Sequence, residues 1–159
     1  MIFQWNRKKG WNPTDRYFEN WDRSIPLGTK WYAENDPCPK GWRVPTREEL
    51  RSLGDFRRLG EADSEWTTQN GVNGRLFGTA PNQIFLPAVG HTTYVTVTRG
   101  WHGESSVATF DDVNRSSGYW SSSSVENGFT TALWFNEDFA SVHISARCHG
   151  LSIRCVAKD

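Results

Sequence analysis

The sequence predicts an α+β domain in which two helices pack on small twisted antiparallel sheets with long irregular loops. Helix signals are confined to about the first 60 residues. From Glu65 onward the chain is punctuated by Asn70-Gly71, Asn73-Gly74, Pro81-Asn82 and Pro87, turn signals that leave room for short strands. With 159 residues, the span 1–159 is predicted to be a single domain, long enough to bury a core without metals or several staples.

The elements follow in order. A short helix over 28–35 carries Trp31 inward and stops before Pro37. A second helix starts at Thr46-Arg47-Glu48-Glu49, a capping box in which Thr46 accepts from the Glu49 amide and the Glu49 carboxylate reaches back. Leu50, Leu53, Phe56 and Leu59 form its apolar stripe, opposite Arg47, Glu48, Arg51, Arg57 and Arg58, and Gly60 ends it. Residues 84–86 and 94–98 read as strands, and the rest of 91–114 as a long excursion. Further strands are predicted at 118–124, 131–136, 141–145 and 151–157. Period-two alternation turns Leu133, Phe135, Val142 and Ile144 inward, and leaves Trp134, His143 and Ser145 side by side on the opposite, exposed face.

Composition narrows the function. Aromatic residues reach 14% with 9 Trp while apolar residues total 36%, so the core is built from a few large rings. Lys plus Arg equals Asp plus Glu at 18 each, which gives no attraction for a polyanion and argues against a nucleic-acid partner. No apolar run approaches the roughly 18 residues of a membrane helix, so no membrane insertion is expected. The opening Met1-Ile2-Phe3-Gln4-Trp5-Asn6-Arg7 lacks the order of a secretion signal, so the expectation is a start set within a longer product or release in a virion.

Four blocks carry a family resemblance: Asp36-Pro37-Cys38-Pro39-Lys40-Gly41-Trp42-Arg43-Val44-Pro45-Thr46, Leu86-Pro87-Ala88-Val89-Gly90, Gly118-Tyr119-Trp120-Ser121-Ser122-Ser123 and Leu151-Ser152-Ile153-Arg154-Cys155-Val156. In this order, over roughly residues 1 to 157, they resemble the Fibrobacter-type major paralogous domain of Bacteroidetes proteins. That family looks C-type-lectin-like. Within it the chain most resembles the variable proteins of diversity-generating retroelements, whose final stretch, here about 118–156, is hypermutated to change ligand. The resemblance implies a disulfide between Cys38 and Cys155. The alternative is two small buried thiols in a reducing compartment, and Cys148 is the odd one of the three cysteines.

Adenine-directed mutagenesis of Asn-type codons yields a set that excludes Trp, Met, Lys, Gln and Glu. Phe129, Thr130, Asn136, Asp138, Phe139, His143, Ser145, Ala146, Cys148 and His149 fall inside the set, whereas Trp134 and Glu137 do not. These ten, with Trp134 as a constant anchor, are the predicted ligand-binding residues. Residues 146–150 read as an unpatterned string beside a regular strand. Aromatic rings supply contact area, and the hydroxyl, amide and imidazole groups supply adaptable hydrogen bonds.

Catalysis is not expected. The four histidines, His91, His102, His143 and His149, sit in no Gly-x-Ser-x-Gly or His-Glu-x-x-His setting, and Cys148 and Cys155 do not reproduce the paired thiols of sulfatase-modifying enzymes. No metal site is assigned: His143 and His149 with Asp138 read as loop-borne surface groups contacting ligand or solvent and not as a metal or acid-base cluster. Calcium is the one cofactor the lectin resemblance admits, through the oxygens of Asn136-Glu137-Asp138 and Asp111-Asp112, but the Glu-Pro-Asn and Gln-Pro-Asp triplets of calcium-dependent sugar readers are missing. The expectation is therefore a receptor-binding or adhesin-like module without cofactor, on a phage tail or a bacterial cell surface. Its ligand is a cell-surface protein or glycan. The alternatives are a calcium-dependent lectin and a self-association module, forming a homo-oligomer or part of a virion.

Overall fold

The computed structural model describes residues 1–12, 17–54, 64–100, 103–126 and 128–158. In chain order the strands are β1 (Ile2–Phe3), β2 (Gly10–Trp11), β3 (Tyr17–Glu19), β4 (Trp42–Arg43), β5 (Ser64–Gln69), β6 (Val72–Phe77), β7 (Ile84–Pro87), β8 (Val89–Gly100), β9 (Gly103–Val113), β10 (Ser116–Ser124), β11 (Phe129–Asn136), β12 (Ala140–Ala146) and β13 (Val156–Ala157). Between β4 and β5 lies a single turn and a half of helix, α1 (Arg47–Arg51), and a 3-10 turn spans Ala33–Asn35.

The expectation of an α+β, C-type-lectin-like fold with two helices packed on a sheet is overturned: the described chain is mostly β, with one short helix and several sheets. The capping box forms as predicted, with the Glu49 amide donating to Thr46 Oγ1 at 3.2 Å and the Thr46 amide donating to Glu49 Oε2 at 2.7 Å. Arg43 adds two bonds to the same carboxylate, at 2.7 and 2.8 Å. The helix then stops because the Ser52 hydroxyl donates back to the Glu49 carbonyl at 2.7 Å, and Gly54 follows two residues later. Phe56, Arg57, Arg58, Leu59 and Gly60 lie outside the described residues. In the earlier segment Gly28 has a positive φ and Lys30 bridges to Ser123, so of the helix predicted over 28–35 only the 3-10 turn Ala33–Asn35 forms. Trp31 points inward all the same, at 7% exposure.

Two strand expectations also change. The excursion after His91 is the longest hairpin among the described residues, β8 against β9 from Val89↔Val113 to Gly100↔Gly103 with one slip between His91 and Tyr94. Its return strand went unread because small residues carry it, yet Ala108 and Phe110 alternate inward as a strand requires. The predicted strand 151–157 contracts to β13. Leu151 bridges Phe3 and Ser152 bridges Tyr119, so the segment changes partner with each step instead of following one neighbour.

A six-stranded sheet in the order β12-β11-β10-β8-β9-β3 forms the frame, with a three-stranded sheet β5-β6-β7 and the pairs β1-β2 and β13-β4 around it. Both faces of β10 and β11 are covered. Tyr119, Leu133 and Phe135 pack with Leu50, Phe77 and Leu86 on one face, while Trp120 and Ala132 pack with Trp5, Trp31, Val44 and Leu151 on the other. The second core contains the Cys38 side of the Cys38–Cys155 disulfide, which joins residues 117 apart in the chain. Cys148 is free and half-buried.

Double coverage corrects the predicted faces. Leu133 and Phe135 are inward as expected, but Ala132 on the opposite face is also fully buried. On β12, Val142 packs against the first core, whereas Ile144 is 57% exposed because the core beneath that face ends at Val142. Ser145 and Thr130, predicted to face solvent, are buried. The Thr130 hydroxyl donates to the Ser123 carbonyl at 2.6 Å, and Ser145 Oγ lies 3.3 Å from His149 Nδ1.

Candidate functional site

Where β11 turns into β12, a groove of about 700 Å³ opens against the β5–β7 sheet, with Trp66, His91, Asp112, Trp134, Asn136 and Phe139 among its walls. Gly90 makes the His91 wall possible. It has φ +81, and a Cβ there would lie 2.6 Å from the Asp111 carbonyl oxygen, so only glycine allows this approach of β8 to β9. The ladder then slips between His91 and Tyr94, an irregularity of the kind that re-aims side chains.

His91 is held from both ring nitrogens: Ser116 Oγ is 3.3 Å from Nδ1 and Asp112 Oδ2 is 3.9 Å from Nε2. The residue types are those of a hydrolytic triad, but 3.9 Å is an ion-pair distance and not a hydrogen bond, so these contacts orient the ring. Burial lowers the His91 pKa against the pull of Asp112 and Asp111. His149 is lowered for the same reason, with His91 adding to the effect. Both rings are therefore held toward their neutral forms. Burial raises the Cys148 thiol, which keeps it from acting as a thiolate near neutral pH.

The opposite wall is a fastened hairpin turn. Asn136 Oδ1 accepts from the amides of Asp138 at 2.8 Å and Phe139 at 2.9 Å, and the Asn136 amide donates to the Phe139 carbonyl at 3.0 Å. The Asn136 carbonyl in turn accepts from Arg75 Nη1 at 2.7 Å, while Arg75 Nε donates to Ser64 Oγ at 3.1 Å. Arg75 is buried, so it pins the turn to the β5–β7 sheet with its charge directed at a carbonyl. Trp134 stands between two imidazoles, edge-on to His91 at 4.8 Å and stacked with His143 at 6.1 Å between ring centres. Its indole Nε1 is enclosed with no acceptor among the described residues.

The predicted binding residues thus divide. Trp134, Asn136, Asp138 and Phe139 meet in the groove, and His143 flanks it through the Trp134 ring. His149 sits behind them against Ser145. Asn136 serves the turn with its side chain, so its contribution to a surface is mainly positional. Phe129 and Ala146 are cross-strand partners at the far end of the β11–β12 ladder, and by its register they lie on the face opposite Trp134 and His143. Thr130 and Ser145 are buried, and Cys148 is half-buried.

The string 146–150 is not unpatterned: Arg147 is buried over the Trp5 ring at 4.2 Å and donates to the carbonyls of Phe129, Pro26, Gly28 and Val125. Sequence reasoning did not assign His91, Asp112 and Trp66 to the site. The sole local signal was the turn glycine before His91. Among the described residues no group of three or more His, Cys, Asp or Glu side chains is arranged to hold a metal ion, and no helix is long and apolar enough to cross a membrane.

Compared with the curated proteins and with the solved structures, the chain matches none. Residues 5–157 match the Fibrobacter succinogenes major domain. Since that match takes in all four sequence blocks, both cores and the groove, the chain belongs to the Fibrobacter succinogenes major domain family.

Proposed function

We propose that this protein is a ligand-binding module, of the kind diversified by diversity-generating retroelements, and that it recognises a cell-surface protein or glycan with the groove at the β11–β12 turn and the adjoining His143. One observation carries the reading: four of the eleven residues singled out for binding, Trp134, Asn136, Asp138 and Phe139, line one groove on a turn that is hydrogen-bonded from within and pinned by Arg75. A pinned turn presents varied side chains without refolding, which limits the entropy lost on binding. Phe139, 36% exposed, is the apolar anchor, and Asp138, Asp112 and the imidazoles supply polarity. The enclosed Trp134 N–H, a donor with no acceptor among the described residues, supports a polar ligand. Display on a phage tail or a bacterial surface follows from this role.

The test is binding of fluorescently labelled protein to bacterial cells. Phe139→Ala and His143→Ala are expected to abolish it, Phe129→Ala to leave it unchanged, and a chelator to have no effect. Equal loss with Phe129→Ala would place recognition elsewhere, and loss in chelator would favour a calcium-dependent lectin. On the genetic side, a downstream near-copy of the segment encoding residues 118–156 is expected to differ at adenines in the codons for Asp138, Phe139 and His143.

A further inference from the structure

Among the described residues β12 is an edge strand of the six-stranded sheet, and it lacks what protects such edges elsewhere in this fold. A free edge offers unpaired N–H and C=O groups to another chain, so proteins shorten it, bend it with a bulge, or place charge or proline on it. The opposite edge, β3, has three residues including Glu19. In the smaller sheets β5 carries Glu65, β7 carries Pro87, β4 carries Arg43, and β1, β2 and β13 have two residues each. β12 has seven residues, runs in unbroken register with β11 from Phe129↔Ala146 to Phe135↔Ala140, and contains no Lys, Arg, Asp, Glu or Pro.

The strand also reads nearly the same in both directions. Ala140-Ser141-Val142-His143-Ile144-Ser145-Ala146 places Ala opposite Ala, Ser opposite Ser and Val opposite Ile when a second copy is laid antiparallel about His143. Main-chain geometry agrees with that register. The bonds from the Asn136 amide to the Phe139 carbonyl and from the Arg147 amide to the Gly128 carbonyl bracket the β11–β12 ladder. Antiparallel pairing alternates, so Ser141, His143 and Ser145 bond toward β11 while Ala140, Val142, Ile144 and Ala146 turn their groups to the open side. About His143, Val142 faces Ile144 of the copy and Ala140 faces Ala146, which pairs open groups with open groups. The Ala146 carbonyl already accepts from the His149 amide, and the Ile144 carbonyl has His143 Nδ1 at 3.1 Å. Val142 and Ile144 still exchange both bonds with the copy, and the Ala146 amide reaches the Ala140 carbonyl. Ile144, 57% exposed, gains a β-branched neighbour.

We propose that β12 pairs antiparallel with β12 of a second copy about a two-fold axis at His143, which joins two six-stranded sheets into one. The interface is isologous, as a two-fold dimer requires. It sets the two hairpin turns roughly 20 Å apart along the joined strands, taking six residues at the strand rise, so two grooves would be presented together. The dimer does not depend on the groove binding a ligand.

Sedimentation velocity across a concentration series is expected to show reversible dimerisation of the wild-type chain. Ile144→Lys, at an exposed position, is expected to weaken association at least tenfold while circular dichroism, and the melting temperature at a dilution where the wild type is monomeric, stay as in the wild type. In a Cys148→Ser background, His143→Cys is expected to form a disulfide-linked dimer on mild oxidation, because the residue meets itself in a non-hydrogen-bonded pair with Cα atoms about 4.5 Å apart. Ser141→Cys in the same background is expected not to, since it faces Ser145. A wild-type monomer up to the solubility limit overturns the proposal. So does a dimer unaffected by Ile144→Lys, or cross-linking through Ser141→Cys in place of His143→Cys. A monomer whose cell binding is lost with Ile144→Lys would assign the edge to a ligand strand instead, and would equally overturn it.

Discussion

Replacing Arg147 with Met keeps most of the aliphatic stem and removes the guanidinium, and the structure sets the size of the loss. Four carbonyl oxygens lose a charged donor: Phe129 at 3.1 Å, Pro26 at 2.8 Å, Gly28 at 2.9 Å and Val125 at 3.1 Å. Bonds to a charged group contribute about 1.5 to 3 kcal/mol each, so a simple sum would reach roughly 6 to 12 kcal/mol. The true loss is smaller, because the four bonds share one side chain and are not additive, and because a surface pocket lined by Pro26, Gly28 and Val125 lets water reach the freed carbonyls. Loss of the guanidinium over Trp5 adds on the order of 1 kcal/mol. The expected destabilisation is about 3 to 5 kcal/mol. For a chain of this size that lowers Tm by on the order of 10 °C. Thermal unfolding followed by near-ultraviolet circular dichroism of the buried tryptophans measures it, and Arg147→Lys is expected to fall between wild type and Met because one ammonium cannot serve four divergent carbonyls. A Met variant that melts within about 2 °C of wild type would refute the assignment of Arg147 as the residue that ties Pro26, Gly28, Val125, Phe129 and the N-terminal Trp5 together.

Replacing Cys38 and Cys155 together with Ala is expected to cost about 4 to 5 kcal/mol on the chain-entropy account for a bridge spanning 117 residues, read as a lower denaturant midpoint. Stability is expected to fall in acid in two steps. His91 and His149 have folded pKa values below 6.5, so the unfolded chain binds more protons and stability is lost as pH drops below about 6.5. His149→Gln should flatten that step. Glu49 is lowered from 4.5 to about 2, first by the Arg43 hydrogen bonds, so its contribution is present above pH 4.5 and is lost as pH falls toward 2; Glu49→Gln should flatten this lower step in the same acid titration. Thr46→Ala removes the cap of α1 and is expected to cost about 1 kcal/mol in chemical denaturation.

Local chemistry was legible where neighbours in sequence are also neighbours in space. Thr46 and Glu49 spelled a capping box, Asn70-Gly71 a hairpin turn, and the alternation in 129–146 a pair of strands, because each rests on contacts a few residues apart. The resemblance carried further, to a Cys38–Cys155 bridge that periodicity alone does not specify. Helix length was misread because the stripe through Leu50 and Leu53 continues past Ser52, whose hydroxyl breaks the helix by bonding Glu49, a choice invisible to a hydrophobic pattern. Face assignment failed at Thr130, Ala132 and Ser145 because alternation separates inside from outside only when one face meets water, and here cores lie on both sides of β10 and β11.

The sequence by itself determined the turn at Asn70-Gly71, the strands around 84–86, 118–124, 131–136 and 141–145, the start of the helix and the large aromatic core, since short-range sterics and burial dictate these. Only the tertiary structure decided that His91 meets Trp134, that Arg75 pins the Asn136 turn and that Arg147 gathers four distant carbonyls. Each of those contacts joins segments far apart in the chain, whose meeting depends on how the separate sheets stack and not on any local preference.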